Sequence, residues 1–162
     1  MEHLDRARRA YVSIALTIAL LLLIFTAFSA SAFQASAIAS SHLINPEELA
    51  KILQSPKSEK PMLIHVGFHV LYLQGHIPGS EYFGPASDQS AIEKLRARVE
   101  SLPRNTFIVI YCGCCPWTHC PNLKPADDAL RAMGFTNVKA LYLAENIVTN
   151  WRDKGYPFTS GQ

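Results

Sequence analysis

Outside one stretch of nine residues, this chain of 162 has no cysteine: its four thiols are Cys112, Cys114, Cys115 and Cys120. That absence rules out a disulfide framework, because bridges confined to one loop cannot tie distant parts of a small fold together. A bacterial lipoprotein anchor is also ruled out, since no cysteine lies near the end of the N-terminal leader. Charge is scarce as well, with 17% Asp, Glu, Lys and Arg and a net charge of +2. No basic stripe is interleaved with aromatics, so nucleic acid is not an expected partner. Six residues beyond the cysteines stand Thr118, Cys120, Pro121 and Ala126, none of them arginine. Cysteine phosphatases need an arginine there to clamp an oxyanion bidentately, so that chemistry is not expected. No internal repeat or low-complexity segment follows residue 41.

The first 32 residues read as a leader. Arg6, Arg8 and Arg9 precede an apolar run from Val12 to Phe28, and Ala30-Ser31-Ala32 and Ala35-Ser36-Ala37 both fit an A-x-A cleavage site. This is the order of a secretory signal peptide; left uncleaved, the same run would serve as an N-terminal membrane anchor. Residues 33–41 are rich in Ala and Ser and read as a linker, leaving 42–162 as one domain. Without the leader, 12 basic and 11 acidic residues remain. Export places the protein in a periplasmic or extracellular space, where thiols become disulfides or need a reducing partner.

Within the domain, Asn45 and Pro46 mark a helix start, with Glu48 at the capping-box position, and the helix ends before Pro56. Met62–Val66 and Phe107–Tyr111 are apolar, β-branched runs that read as buried strands, Glu81–Phe83 as a short one and Val138–Leu143 as another. Ile92, Leu95, Val99 and Leu102 recur at helical spacing. A helix opening near Pro125 closes at Gly134, and a last one carries Trp151 and stops at Gly155. Strands alternating with helices predict parallel pairing and an α/β fold, with function outside the carboxyl ends of the strands.

The cysteines fall at such a place. A strand-to-helix turn aims N–H groups and a helix N-terminus at one point, favouring a thiolate at Cys112. Cys112 and Cys115 form Cys-x-x-Cys, the spacing at which a second thiolate resolves a disulfide or persulfide on the first. Cys114 and Cys120 are less favoured resolving thiols, and an inert disulfide is the plain alternative. A third reading is a soft-metal site for Cu(I) or Zn²⁺ using Cys112, Cys114, Cys115, His119 and Cys120, with His65 or His69 approaching from a neighbouring strand end. Otherwise no cofactor is expected. Trp117 is expected to pack on the sheet edge.

Several segments together resemble a rhodanese-like domain from about Leu43 to Phe158. They are Leu63-Ile64-His65-Val66-Gly67, Tyr72-x-x-Gly75-His76-Ile77-Pro78-Gly79-Ser80, Ile108-Val109-Ile110-Tyr111-Cys112, Leu130-x-x-x-Gly134-Phe135 and Trp151-x-x-x-Gly155-Tyr156-Pro157. The resemblance implies a five-stranded parallel sheet flanked by helices, with Cys112 as the active-site cysteine. It implies a sulfurtransferase or thiol-disulfide oxidoreductase whose partners are a sulfane-sulfur donor or a protein thiol, with a periplasmic reductant. A membrane is a partner only if the leader stays uncleaved. Rhodaneses usually carry Asp-Val-Arg where this chain has His65-Val66-Gly67, and their cysteine loop is shorter and cationic. Here Lys124 is the only cation of the loop region. Thiosulfate is accordingly expected to be a poor donor. His65, in place of that acid, is a candidate base, thiolate-stabilising imidazolium or metal ligand. A catalytically inactive scaffold for protein interaction is the remaining alternative.

Overall fold

The computed structural model describes residues 38–161. The leader therefore lies outside the described residues, among which no helix is long and apolar enough to cross a membrane. Five strands form one sheet: β1 Leu43–Ile44, β2 Met62–His65, β3 Glu81–Tyr82, β4 Ile108–Tyr111 and β5 Val138–Leu141, in the order β1-β5-β4-β2-β3. Every pairing is parallel, with His65 opposite Tyr111 at the ends of the two central strands. The helices are α1 Pro46–Gln54, α2 His69–Gln74, α3 Gln89–Val99, α4 Leu123–Ala132 and α5 Ile147–Asn150.

The two-residue period of the strands builds a core on each face of the sheet. Ile64, Ile108 and Ile110 point to one side, where they meet Leu95 and Val99 of α3 and Ala126 and Leu130 of α4. Leu63, Val109 and Tyr111 point to the other, against Leu49 of α1, Ile147 and Trp151. Cys112 and Cys120 belong to the α3–α4 side. The alternation along β4 thus sets which face receives the first cysteine.

Three boundaries differ from the sequence reading. Asn45 stands at the start of α1, but its side chain makes no capping bond, and only its carbonyl accepts from the Leu49 N–H. The helix after the cysteine loop opens at Leu123, so Pro125 lies within its first turn, where a missing N–H is tolerated. The last helix is a short α5 followed by a 3-10 turn at Arg152–Lys154, and Trp151 lies between them. Two elements lacked a sequence signal: β1 has two residues, and α2 is a short helix whose exposed side chains include Val70 and Leu73. Gly134 and Gly155 end their elements at φ +89° and +74°, the left-handed conformation that suits glycine.

Candidate functional site

β4 delivers Cys112 to its carboxyl end, where the chain turns sharply. Gly113 takes φ +89°, and a Cβ there would lie 3.1 Å from two Ile147 side-chain carbons. The turn is fastened to α5, because the Gly113 carbonyl accepts from the Ile147 N–H at 3.0 Å. Asn146 caps that helix by accepting from the Thr149 N–H. The loop then runs through a 3-10 turn at Trp117–His119 into α4. Trp117 donates its N–H to the Leu143 carbonyl and packs beside Tyr142, 5.9 Å between ring centres.

All four cysteines are free thiols. The Cys112 Sγ lies 3.2 Å from the Cys114 Sγ, which lies 3.2 Å from the Cys115 Sγ. The sulfurs of Cys112, Cys114 and Cys120 are all within 4.8 Å of one another. Cys115 therefore adjoins Cys114 in place of the expected direct partnership with Cys112. His119 is exposed, with its Nδ1 3.0 Å from the Thr118 Oγ1, outside this three-sulfur group.

Cys112 is 2% exposed and lines a cleft of about 370 Å³. One wall consists of the loop residues Cys112, Gly113 and Cys114; another is Asn146 to Thr149 with Arg152; the third includes Leu71, Gln74 and Phe158. Arg152 is a cation that the sequence reading overlooked, since Lys124 had been the only one near the loop. Its guanidinium also donates to the Asp153 carboxylate at 2.9 Å. The cleft sits where the fold predicts, outside the carboxyl ends of the central strands.

A second overlooked residue is Asn122, fully buried just before α4. Its Oδ1 accepts from the Ser87 N–H at 2.9 Å, and its Nδ2 donates to the Cys112 Sγ at 3.6 Å. No periodicity or motif marks it, because its role arises from a contact with Ser87 across the fold.

The thiol environment differs from the expected one. The Cys120 sulfur and then burial push the Cys112 thiol well above its ordinary range, against an opposing effect of the Cys114 thiol and backbone. Burial and then Cys114 push Cys115 up to about 11. The turn was expected to lower the Cys112 pKa, but crowded sulfurs outweigh it, because each negative charge disfavours the next. Cys112 reacts most readily when a neighbour is already consumed in a bond.

His65 is 2% exposed at the end of β2. Its Nδ1 accepts from the Gly67 N–H at 3.3 Å, and its ring stands edge-on to Tyr111. A Cβ on Gly67 would lie 2.9 Å from the Cys112 Sγ and 3.0 Å from the His65 Cε1. Only glycine lets this corner of chain pass so close to the sulfur. Burial first, then the charge of His76, lowers the His65 pKa to about 4. The imidazolium role is therefore disfavoured, and the ring is neutral at physiological pH.

This has a measurable consequence. The unfolded ring titrates near 6.5, so His65 favours the fold fully above that pH and progressively less as pH falls towards 4. The expected loss over that window is about 3 kcal/mol. Urea midpoints of the reduced protein should drop more steeply between pH 6.5 and 4 than those of His65→Asn. Equal slopes would mean the ring is not buried in its neutral form. His76 is also buried, but it is tied down otherwise: its Nδ1 lies 2.8 Å from the Tyr72 carbonyl oxygen, and the two rings stack at 3.9 Å.

Comparison with known proteins agrees with this architecture. The rhodanese-like domain family model matches residues 45–143. The BH2092 protein of Bacillus halodurans superposes with a TM-score of 0.57 at 19% identity, over 74% of this chain and 77% of its own. The Alr3790 protein of Anabaena gives 0.53 at 22% identity, over 72% and 82%. The single-domain sulfurtransferase RDL2 of Saccharomyces cerevisiae gives 0.52 at 16%, over 76% and 95%. At such identities the likeness concerns the fold. No curated protein matches the chain significantly. With a family match across most of the domain and the fold those structures share, this chain belongs to the rhodanese-like domain family.

Proposed function

We propose that this is an exported protein that handles sulfane sulfur through Cys112, with Cys114 as the resolving thiol. The single observation that carries the reading is the 3.2 Å approach of the two sulfurs beside an open cleft. In the first step the Cys112 thiolate attacks the outer sulfur of a donor R–S–S⁻. A sulfur–sulfur bond forms on Cys112, the donor's own bond breaks, and R–S⁻ leaves. An acceptor thiolate can then take the outer sulfur and return Cys112 to its thiolate. In the absence of an acceptor, the Cys114 thiolate attacks the Cys112 Sγ, forming a Cys112–Cys114 disulfide and expelling hydrosulfide. A dithiol reductant of the export compartment reopens that bridge and is itself oxidised to a disulfide.

Cys115 is a less direct resolving thiol, because Cys114 stands between it and Cys112. Arg152 supplies one cation for an anionic donor, already shared with Asp153, which fits weak use of thiosulfate. The test is intact mass after loading reduced protein with a small-molecule persulfide. Wild type should gain one sulfur transiently and then lose two hydrogens as the bridge forms. Cys114→Ser should hold the added sulfur at least about tenfold longer, because the adjacent resolving thiolate is gone. Equal lifetimes in the two proteins, or a bridge that maps to Cys115, would refute the assignment of Cys114.

A further inference from the structure

We propose that Cys112, Cys114 and Cys120 of the reduced protein form a three-thiolate site for one Cu(I) ion. Their sulfurs all lie within 4.8 Å of one another, and no other His, Cys, Asp and Glu side chains converge in this way among the described residues. A three-coordinate ion with metal–sulfur bonds of about 2.3 Å spaces its ligands about 4 Å apart. The Cys112–Cys114 separation of 3.2 Å has to open by less than about 1 Å, which side-chain rotation supplies. Cys112 and Cys120 are buried, while Cys114 is half-buried and lines the cleft, so an ion has both an entrance and a dry seat.

The donor set selects the metal. It is all sulfur and has three members, since Cys115 and His119 fall outside the converging group. Zn²⁺ closes a structural site with four ligands, whereas soft thiolates favour Cu(I), which is content with three. Three thiolates around a monovalent ion leave two negative charges. The Asn122 Nδ2, 3.6 Å from the Cys112 Sγ, and the N-terminal end of α4, which begins at Leu123, both offset them. Three thiols lose three protons as the ion enters, and neither an oxidant nor a reductant is consumed. The site uses the thiols at rest and does not depend on Cys112 carrying sulfane sulfur.

The test is an anaerobic titration of reduced full-length protein with Cu(I), followed by near-ultraviolet thiolate charge-transfer absorption. Competition against a chromophoric Cu(I) chelator measures affinity. Saturation is expected at one equivalent with release of protons, and X-ray absorption should find three sulfurs at about 2.3 Å. Cys114→Ser and Cys120→Ser should each weaken binding by more than the roughly 10–100-fold that loss of an outer-shell partner costs. Cys115→Ser and His119→Ala should leave affinity unchanged. Cys114 is half-buried, so its variant keeps the test valid if the Cys120 variant does not fold. Failure to saturate at one equivalent, or a loss in Cys115→Ser as large as in Cys114→Ser, would overturn the proposal.

Discussion

Sulfane-sulfur uptake by Cys112→Ser is expected to fall by at least about 10³-fold, because a serine hydroxyl cannot carry a persulfide and no other thiol takes its position. The domain should stay folded. Serine is smaller than cysteine, and Asn122 at the Sγ position can donate to the new hydroxyl, so the cost is about 1–3 kcal/mol. The measurement pairs sulfur loading by mass with a thermal melt on the same sample. Retained loading on the serine variant would place the carrier on Cys114, Cys115 or Cys120 and discard the reading. Loss of fold would leave the chemistry to be read from Cys112→Ala, which removes the buried hydroxyl.

Trp151→Ala is expected to destabilise the domain by about 3–5 kcal/mol, the cost of emptying a fully buried indole site. The melting temperature should fall by roughly 10–20 °C. Trp151 packs with Leu49, Val109 and Tyr111 beneath the sheet, and its Nε1 donates to the Pro157 carbonyl at 2.7 Å. It lies between α5 and the turn that carries Arg152, so the same cavity loosens one wall of the cleft. Trp151→Phe keeps most of the packing but not the donor, and should recover more than half of the loss. A drop below about 1 kcal/mol in the alanine variant would show that the indole is not part of the core.

How much of this was legible in the chain follows from the range of the forces involved. Met62–His65 and Ile108–Tyr111 announce themselves as buried strands because both faces of a parallel sheet exclude water, leaving an unbroken apolar run. β1, with two residues, and the six-residue α2 are too short to show a period. They exist because neighbours complete them: Leu43 and Ile44 pair with Ala140 and Leu141 of β5, and α2 is held by the chain around it. The ordered motif pieces were enough to identify the family, since each is a local turn or strand end.

The candidate site divides in the same way. That chemistry belongs to Cys112 to Cys120 was readable from sequence, because cysteines so concentrated have no structural use in stapling a fold. Which sulfur faces which was not, because spacing along a loop does not fix direction. A positive φ at Gly113 brings Cys114 to Cys112, and the entry into α4 returns Cys120 to the same point. Arg152 and Asn122 reach the site from far along the chain, and only packing brings them there. The low pKa expected of Cys112 came from the helix start alone. The fold reversed it by placing other thiols closer to that sulfur than any cation, and at such range the nearest charge decides.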